Sequence, residues 1–290
     1  MLRVAFLISA HHHFVHLGRL LSTLLDYRGI ETSIYLHVDR KSPVEFSFPH
    51  ERVFIEENRI PVYWGGMSQV SATLRLMRRA AAAQGGYDYY CCLTGQDYPV
   101  RSEAHFLGLL ARNRNYINLR RMPFETKPMR RLANYWFEHD RRRPSARRVA
   151  LLCAEAGLRA LRVRKSVPFI AYGGSQHFFL NRDCVSHVLQ FCGDNPWFVD
   201  FHRTALCPDE SFFQTIVGNS TFIDSVEPSL VYANWAAEGS NFRFTERDVG
   251  ILKAEPTRRS PYYGEYSPCF ARKFFDDDSA MLEMVHRQLH

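Results

Sequence analysis

Residues 3–9, Arg-Val-Ala-Phe-Leu-Ile-Ser, form a nearly unbroken apolar run. A strand with one wet face alternates apolar and polar residues, whereas a strand covered on both faces does not. This run therefore demands a sheet with cover on each side. Residues 15–27 follow with Leu17, Leu20, Leu21, Leu24 and Leu25 at helical spacing and Gly29 as a stop. Residues 33–38, 52–55 and 88–93 read as further strands. Residues 68–83, closed by Gly85-Gly86, and 102–112 read as helices. The β-α-β-α order predicts an α/β fold: a Rossmann-like, mostly parallel sheet flanked by helices.

Residues 120–165 break that order. They are dense in arginine and contain Pro123, Pro128 and Pro144. They read as a basic insertion, mobile or helical, within a single domain covering 1–290. Strand character resumes over 169–180. Helices are expected over 182–191, 210–217 and 279–290.

The net charge of +7 points to an anionic partner: nucleic acid, anionic lipid or a nucleotide-sugar. No nucleic-acid-binding signature accompanies the basic stretch, so nucleic acid is set aside. Seven cysteines, an odd number with no C-x-x-C pair, read as buried reduced thiols and not as a disulfide framework or zinc site. The apolar start is short for a signal sequence, and no run is long enough to span a bilayer. The expectation is a cytoplasmic protein, with peripheral membrane contact through the basic segment.

Two segments carry the chemistry. Cys207-Pro-Asp-Glu-Ser-Phe-Phe213 places Asp209 and Glu210 after a proline, at an expected helix start. Ser267-Pro-Cys-Phe-Ala-Arg-Lys-Phe-Phe275 sets Arg272 and Lys273 in an aromatic frame. A carboxylate that deprotonates a hydroxyl, with fixed cations that stabilise a departing diphosphate, suits sugar transfer from a nucleotide donor. In parallel α/β sheets, ligands bind beyond the carboxyl ends of the strands. Asp39 and Asp97 stand at two such ends, where a carboxylate can take ribose or base hydrogens. His11, His12 and His13 stand at a third, but three successive side chains do not converge on one ion. The run Asp276-Asp277-Asp278 lies where acids favour a helix start and reads as structural.

The ordered segments His37-Val-Asp-Arg-Lys41, Tyr63-Trp-Gly-Gly66, Leu93-Thr-Gly-Gln-Asp-Tyr-Pro99, Gly173-Gly-Ser-Gln-His-Phe178, Pro208-Asp-Glu-Ser-Phe-Phe-Gln-Thr215 and Phe270-Ala-Arg-Lys-Phe274 resemble glycosyltransferase family 14. That family comprises core-2/I-branching β-1,6-N-acetylglucosaminyltransferases and peptide O-xylosyltransferases. The resemblance implies a GT-A fold, a UDP-sugar donor and an inverting transfer that needs no metal or other cofactor. By matching position, Glu210 is the catalytic base and Arg272 with Lys273 the diphosphate clamp. His11, Asp39, Asp97 and Trp235 fall near the nucleotide or donor sugar. Trp64, Ser175, Gln176 and Asp209 fall on the donor or acceptor wall. Xylosyltransferases carry an acidic residue where Gln176 stands, which leans toward N-acetylglucosamine as the donor sugar, with xylose or glucuronic acid as alternatives. The animal enzymes carry a membrane anchor and disulfides, so this chain looks like a bacterial-type member. The expected acceptor is a glycan or lipid-linked saccharide.

Two other functions compete. A glycoside hydrolase needs two carboxyl groups ~5–9.5 Å apart across the sugar, and adjacent residues such as Asp209 and Glu210 point in different directions. A basic binding module rests on the arginine-rich stretch alone.

Overall fold

The computed structural model describes residues 1–234 and 243–289. The strands are β1 (Leu2–Ala10), β2 (Ile30–Val38), β3 (Val53–Ile55), β4 (Tyr89–Thr94), β5 (Asp97–Pro99), β6 (Asn115–Ile117), β7 (Arg120–Arg121), β8 (Tyr172–Gly173), β9 (Phe178–Asn181), β10 (Val226–Glu227), β11 (Val231–Ala233), β12 (Arg258–Ser260), β13 (Gly264–Tyr266) and β14 (Phe270–Arg272). The helices are α1 (Phe14–Leu25), α2 (Met67–Ala81), α3 (Glu103–Leu110), α4 (Arg130–Ala133), α5 (Ala146–Ala160), α6 (Arg182–Asp194), α7 (Pro196–His202), α8 (Phe212–Gly218), α9 (Glu246–Ala254) and α10 (Ser279–Leu289).

The main sheet has the order β10-β6-β9-β4-β1-β2-β3. Its pairs are parallel except where β9 runs antiparallel between β4 and β6. The apolar run of β1 sits at the middle and is covered on both sides. Val4, Phe6 and Ile8 face a core with the leucines of α1, while Ala5 and Leu7 face a second core with Val70, Leu74 and Met77 of α2. The mixed α/β architecture, with a mostly parallel sheet between helices, is GT-A-like and agrees with the sequence expectation.

Three differences from that expectation shape the site. Residues 169–180 do not form one strand. β8 and β9 are separated at Gly174-Ser175, because the chain presses onto the Asn118 carbonyl: a Cβ added at Gly174 would lie 1.7 Å from that oxygen, so only glycine fits. Residues 210–217 are not one helix either. Pro208–Glu210 is a 3-10 turn, with the Glu210 amide donating to the Cys207 carbonyl at 3.1 Å, and α8 begins at Phe212 after Ser211, whose φ of −144° is not helical. Third, a small sheet of order β11-β14-β5 stands beside the main one. Its β5–β14 pairing brings Asp97 opposite Arg272 across most of the chain length.

The final segment is tied to the first helix. Asp276 Oδ1 accepts from the His16 amide in the first turn of α1 at 2.8 Å. Asp278 accepts from the Phe275 amide at 2.7 Å and from Arg243 Nε at 2.6 Å. These acids serve a structural role, as the sequence indicated. All seven cysteines are free; Cys153 is exposed and Cys207 half-buried, against the expectation of uniform burial.

Candidate active site

The carboxyl ends of β1, β2 and β4 lie side by side, since β1 pairs with both β2 and β4. Around them the chain assembles two groups of charges.

The first group is buried. Asp97 is fully enclosed. Its Oδ2 accepts from the Thr94 amide at 2.6 Å and lies 3.2 Å from His177 Nε2. Its Oδ1 lies 3.6 Å from Arg272 Nε, an ion pair without hydrogen-bond contact. His177 Nε2 is also 3.2 Å from an Arg272 terminal nitrogen. One ring nitrogen donates to Asp97 or accepts from Arg272, but not both at once. Burial pushes the Asp97 carboxyl up, yet His177 and Arg272 outweigh it and hold it below the usual range. Burial holds His177 below its ordinary value, opposed by Asp97. Asp97, expected to meet a nucleotide, is enclosed and faces His177 and Arg272, because the β5–β14 pairing turns it toward Arg272.

Lys273 follows at the end of this strand and is half-buried. Among the described residues its ammonium has no hydrogen bond or ion pair. Burial, and then the Arg272 charge, lower its pKa. A partly desolvated cation next to a second cation is costly unless an anion arrives. The peptide bond between the two residues is cis.

The second group is more open. Glu210 Oε2 accepts from both Lys127 Nζ and Arg131, and its side chain retains 23% exposure. Both cations come from the segment read as a basic insertion. Through α4 and the loop before it, that segment therefore adjoins Glu210. Asp209 points elsewhere: its Oδ1 is buried without a partner. Burial, and then the Glu210 charge, hold its carboxyl well above the usual carboxylate range. Tyr263 is also close, its hydroxyl pushed up by burial and then by Glu210.

One strap joins the groups. The Gly174 amide donates to the Glu210 carbonyl at 2.8 Å. Three residues later His177 meets Asp97 and Arg272, so the two backbone points are at most ~11 Å apart. Between them, Ser175 Oγ accepts from Asn118 at 3.1 Å, its carbonyl accepts from Gln214 Nε2 at 2.6 Å, and Gln176 Oε1 accepts from Gln69. Ser175 and Gln176 are both half-buried on this strap. Beneath it, the Cys92 thiol at the end of β4 is pushed up to about 12 by burial, with Asp97 and Asp209 both contributing.

The remaining predicted residues lie around this frame. Asp39 has 6% exposure. Its Oδ1 accepts from the Lys41 and Val62 amides at 2.8 and 3.2 Å, and its Oδ2 pairs with Lys41 Nζ at 2.6 Å. It orders the loop after β2, with its own acceptor capacity largely used. His11 is exposed and within the field of Asp39 and Arg142. Trp64 is 61% exposed, with the Arg141 guanidinium 4.7 Å from its ring centroid. It sits on the turn whose Gly65, at φ 73°, accepts through its carbonyl from the Cys207 amide at 2.9 Å. Trp64 thus borders the Glu210 turn. Trp235 lies outside the described residues. Among the described residues, no group of three or more His, Cys, Asp or Glu side chains is arranged to hold a metal ion.

Sequence reasoning missed Lys127, Arg131 and His177. His177 lay inside a quoted motif without a role. Lys127 and Arg131 are four residues apart, a spacing that puts side chains on one face of a helical turn, but nothing in the sequence connects them to Glu210.

The candidate site is thus a GT-A-like sheet carrying a carboxylate at one end of a strap and two clustered cations at the other. The comparisons agree. The family described as Core-2/I-Branching enzyme matches residues 4–255, and the chain belongs to that family. Similar curated proteins include xylosyltransferase 1 of Mus musculus, 28% identical over 246 residues, covering 80% of this chain and 24% of that protein. Xylosyltransferase 1 of Rattus norvegicus is 30% identical over 212 residues, covering 69% and 24%. Xylosyltransferase 2 of Homo sapiens is 26% identical over 251 residues, covering 80% and 26%. The chain spans about a quarter of the length of these relatives.

Proposed function

We propose that this protein transfers a sugar from a UDP-sugar to a hydroxyl of a glycan or lipid-linked saccharide by a single inverting displacement without a metal ion. The carrying observation is Lys273: a half-buried cation without a partner among the described residues, beside Arg272 and one short strap from Glu210. A diphosphate would supply the missing anion, and charge developing on it during departure would meet two fixed cations. Glu210 then accepts the proton of the attacking hydroxyl, while Lys127 and Arg131 hold its carboxylate toward the acceptor side. Asp97 and His177 orient Arg272 and touch neither substrate. With Arg272 and Lys273 in the role that a divalent cation plays elsewhere, transfer should persist in excess EDTA. Complete loss on chelation, restored by manganese, would overturn the clamp.

For the donor sugar we propose N-acetylglucosamine. Gln176 on the strap and Gln69 of α2 form a neutral amide pair, offering donors and acceptors suited to an acetamido group. The named relatives favour xylose as the competing donor. Measuring UDP release across UDP-N-acetylglucosamine, UDP-xylose and UDP-glucuronic acid decides between them; a preference for UDP-xylose would reverse the assignment.

A further inference from the structure

Helix α5 carries large apolar side chains on its solvent side as well as its inner one. Its fully buried side chain is an acid. Glu155 has 3% exposure, and its Oε1 accepts from the Phe137 amide at 2.8 Å. Leu151 and Leu158 are half-buried on the same side as Glu155, while two large apolar side chains turn outward: Val149 is 60% exposed and Leu152 40%, followed just past the helix by Leu161 at 76% and Val163 at 42%. At 3.6 residues per turn, Val149, Leu152, Cys153, Ala156 and Ala160 share one stripe, centred about a third of a turn around the helix from Glu155. Arg159 borders that stripe on one side, and Arg162 and Arg164 follow the helix. Glu155 is the sole acid between 141 and 165 and points inward. The outward surface is therefore apolar along its centre and acid-free, with small apolar residues on one side and arginine on the other and beyond its end.

We propose that α5 docks on an anionic lipid bilayer, with Val149 and Leu152 in the boundary between headgroups and acyl chains and the arginines among the lipid anions. An apolar stripe bordered by Arg is the pattern that holds a helix in the plane of a membrane, and each nearby cation strengthens attraction to acidic lipid. The charge argues against a second copy of this chain as the occupant. A two-fold contact through this stripe would bring the same arginines of both copies together. The helix is also linked to the site: Arg148 donates to the Arg141 carbonyl at 2.9 Å, and Arg141 covers Trp64. Docking would thus set the site mouth at the lipid surface. That last placement rests on the proposed function; the docking does not.

Co-sedimentation with large vesicles tests this, using phosphatidylcholine alone and phosphatidylcholine containing phosphatidylglycerol. The full chain should bind the anionic vesicles at least ~tenfold better than the neutral ones, and added salt should weaken that binding. The double variant Val149→Glu with Leu152→Glu should lose at least ~tenfold in binding, with unchanged melting temperature and UDP release. Arg159→Glu with Arg162→Glu should lose the preference for phosphatidylglycerol by a separate route. Absence of binding by the wild-type chain, equal binding to both vesicle types, or undiminished binding by the first double variant would overturn the proposal. So would a concentration-dependent dimer in sedimentation velocity that the double variant abolishes while vesicle binding is absent.

Discussion

The two charge groups of the site are opposites in construction. Asp97, His177 and Arg272 are enclosed by the β5–β14 pairing and meet few atoms outside themselves. Glu210, Lys127 and Arg131 stand at the edge of the fold, on a 3-10 turn and an arginine-rich segment, partly open to solvent. Buried ionic groups are costly to break and hold geometry; half-exposed ones can exchange partners with a substrate. The contrast separates positioning from reaction. On the proposed function, the enclosed group would set where the donor diphosphate sits, and the open group would carry the proton transfer.

Substitutions can break or sharpen that division. The largest effect is expected at Glu210. Glu210→Gln keeps the shape but cannot take a proton, and transfer should fall ~10²–10⁴-fold with the melting temperature nearly unchanged; a near-normal rate by coupled UDP detection would remove Glu210 as the base. Asp97→Ala should leave Arg272 buried beside nothing but His177. Breaking such a pair costs about 3–5 kcal/mol, so chemical denaturation should show a large loss of stability together with lost donor binding. A stable variant with normal UDP affinity would show that Asp97 does not position the clamp. Lys273→Ala should lower turnover about a hundredfold, corresponding to roughly 3 kcal/mol, and weaken the Michaelis constant for donor far less. An unchanged turnover number would place Lys273 outside the reaction.

Acid should affect the enclosed group selectively. His177 has a folded pKa below its unfolded value, so the unfolded chain binds more protons between the two. Stability is therefore present above the ordinary histidine range, ~6.5, and is lost as pH falls below it. His177→Gln should flatten this decline by ~2–4 °C in the midpoint, with buried His16, His37 and His202 responsible for the remainder. An unaltered slope in thermal scans from neutral to mildly acidic buffer would mean His177 is not held neutral. The smallest effect belongs to Asp209→Asn. Burial already favours its neutral form, so transfer should change only a few-fold; a loss matching that of Glu210→Gln would exchange the two roles.

The legible parts of the molecule were those with a period. β1, β2, β4, α1 and α2 announce themselves because one or two faces are buried along their whole length. β5, β11 and β14 are three residues each and gain their meaning from pairing far along the chain, which no local pattern carries. Arg272 and Lys273 were visible as a cation pair within an aromatic frame, but the inward turn of Asp97 depends on that distant pairing. Glu210 was visible through its flanking segment, although the expected helix start proved to be a 3-10 turn because the chain leaves helical geometry at Ser211. The arginine-rich stretch was legible only as charge. Its division into a part that grips Glu210 and a helix with an outward apolar stripe comes from burial of Glu155 and the approach of Lys127 and Arg131.

The division between the two groups is tested most directly by calorimetric titration of UDP into the wild-type protein and into Glu210→Gln, set beside the transfer rate of each. If the open group serves proton transfer and the enclosed group the diphosphate, the variant binds UDP within about twofold of wild type while its transfer falls ~10²–10⁴-fold. A loss of UDP affinity in proportion to the loss of transfer would contradict it, because Glu210 would then belong to donor binding.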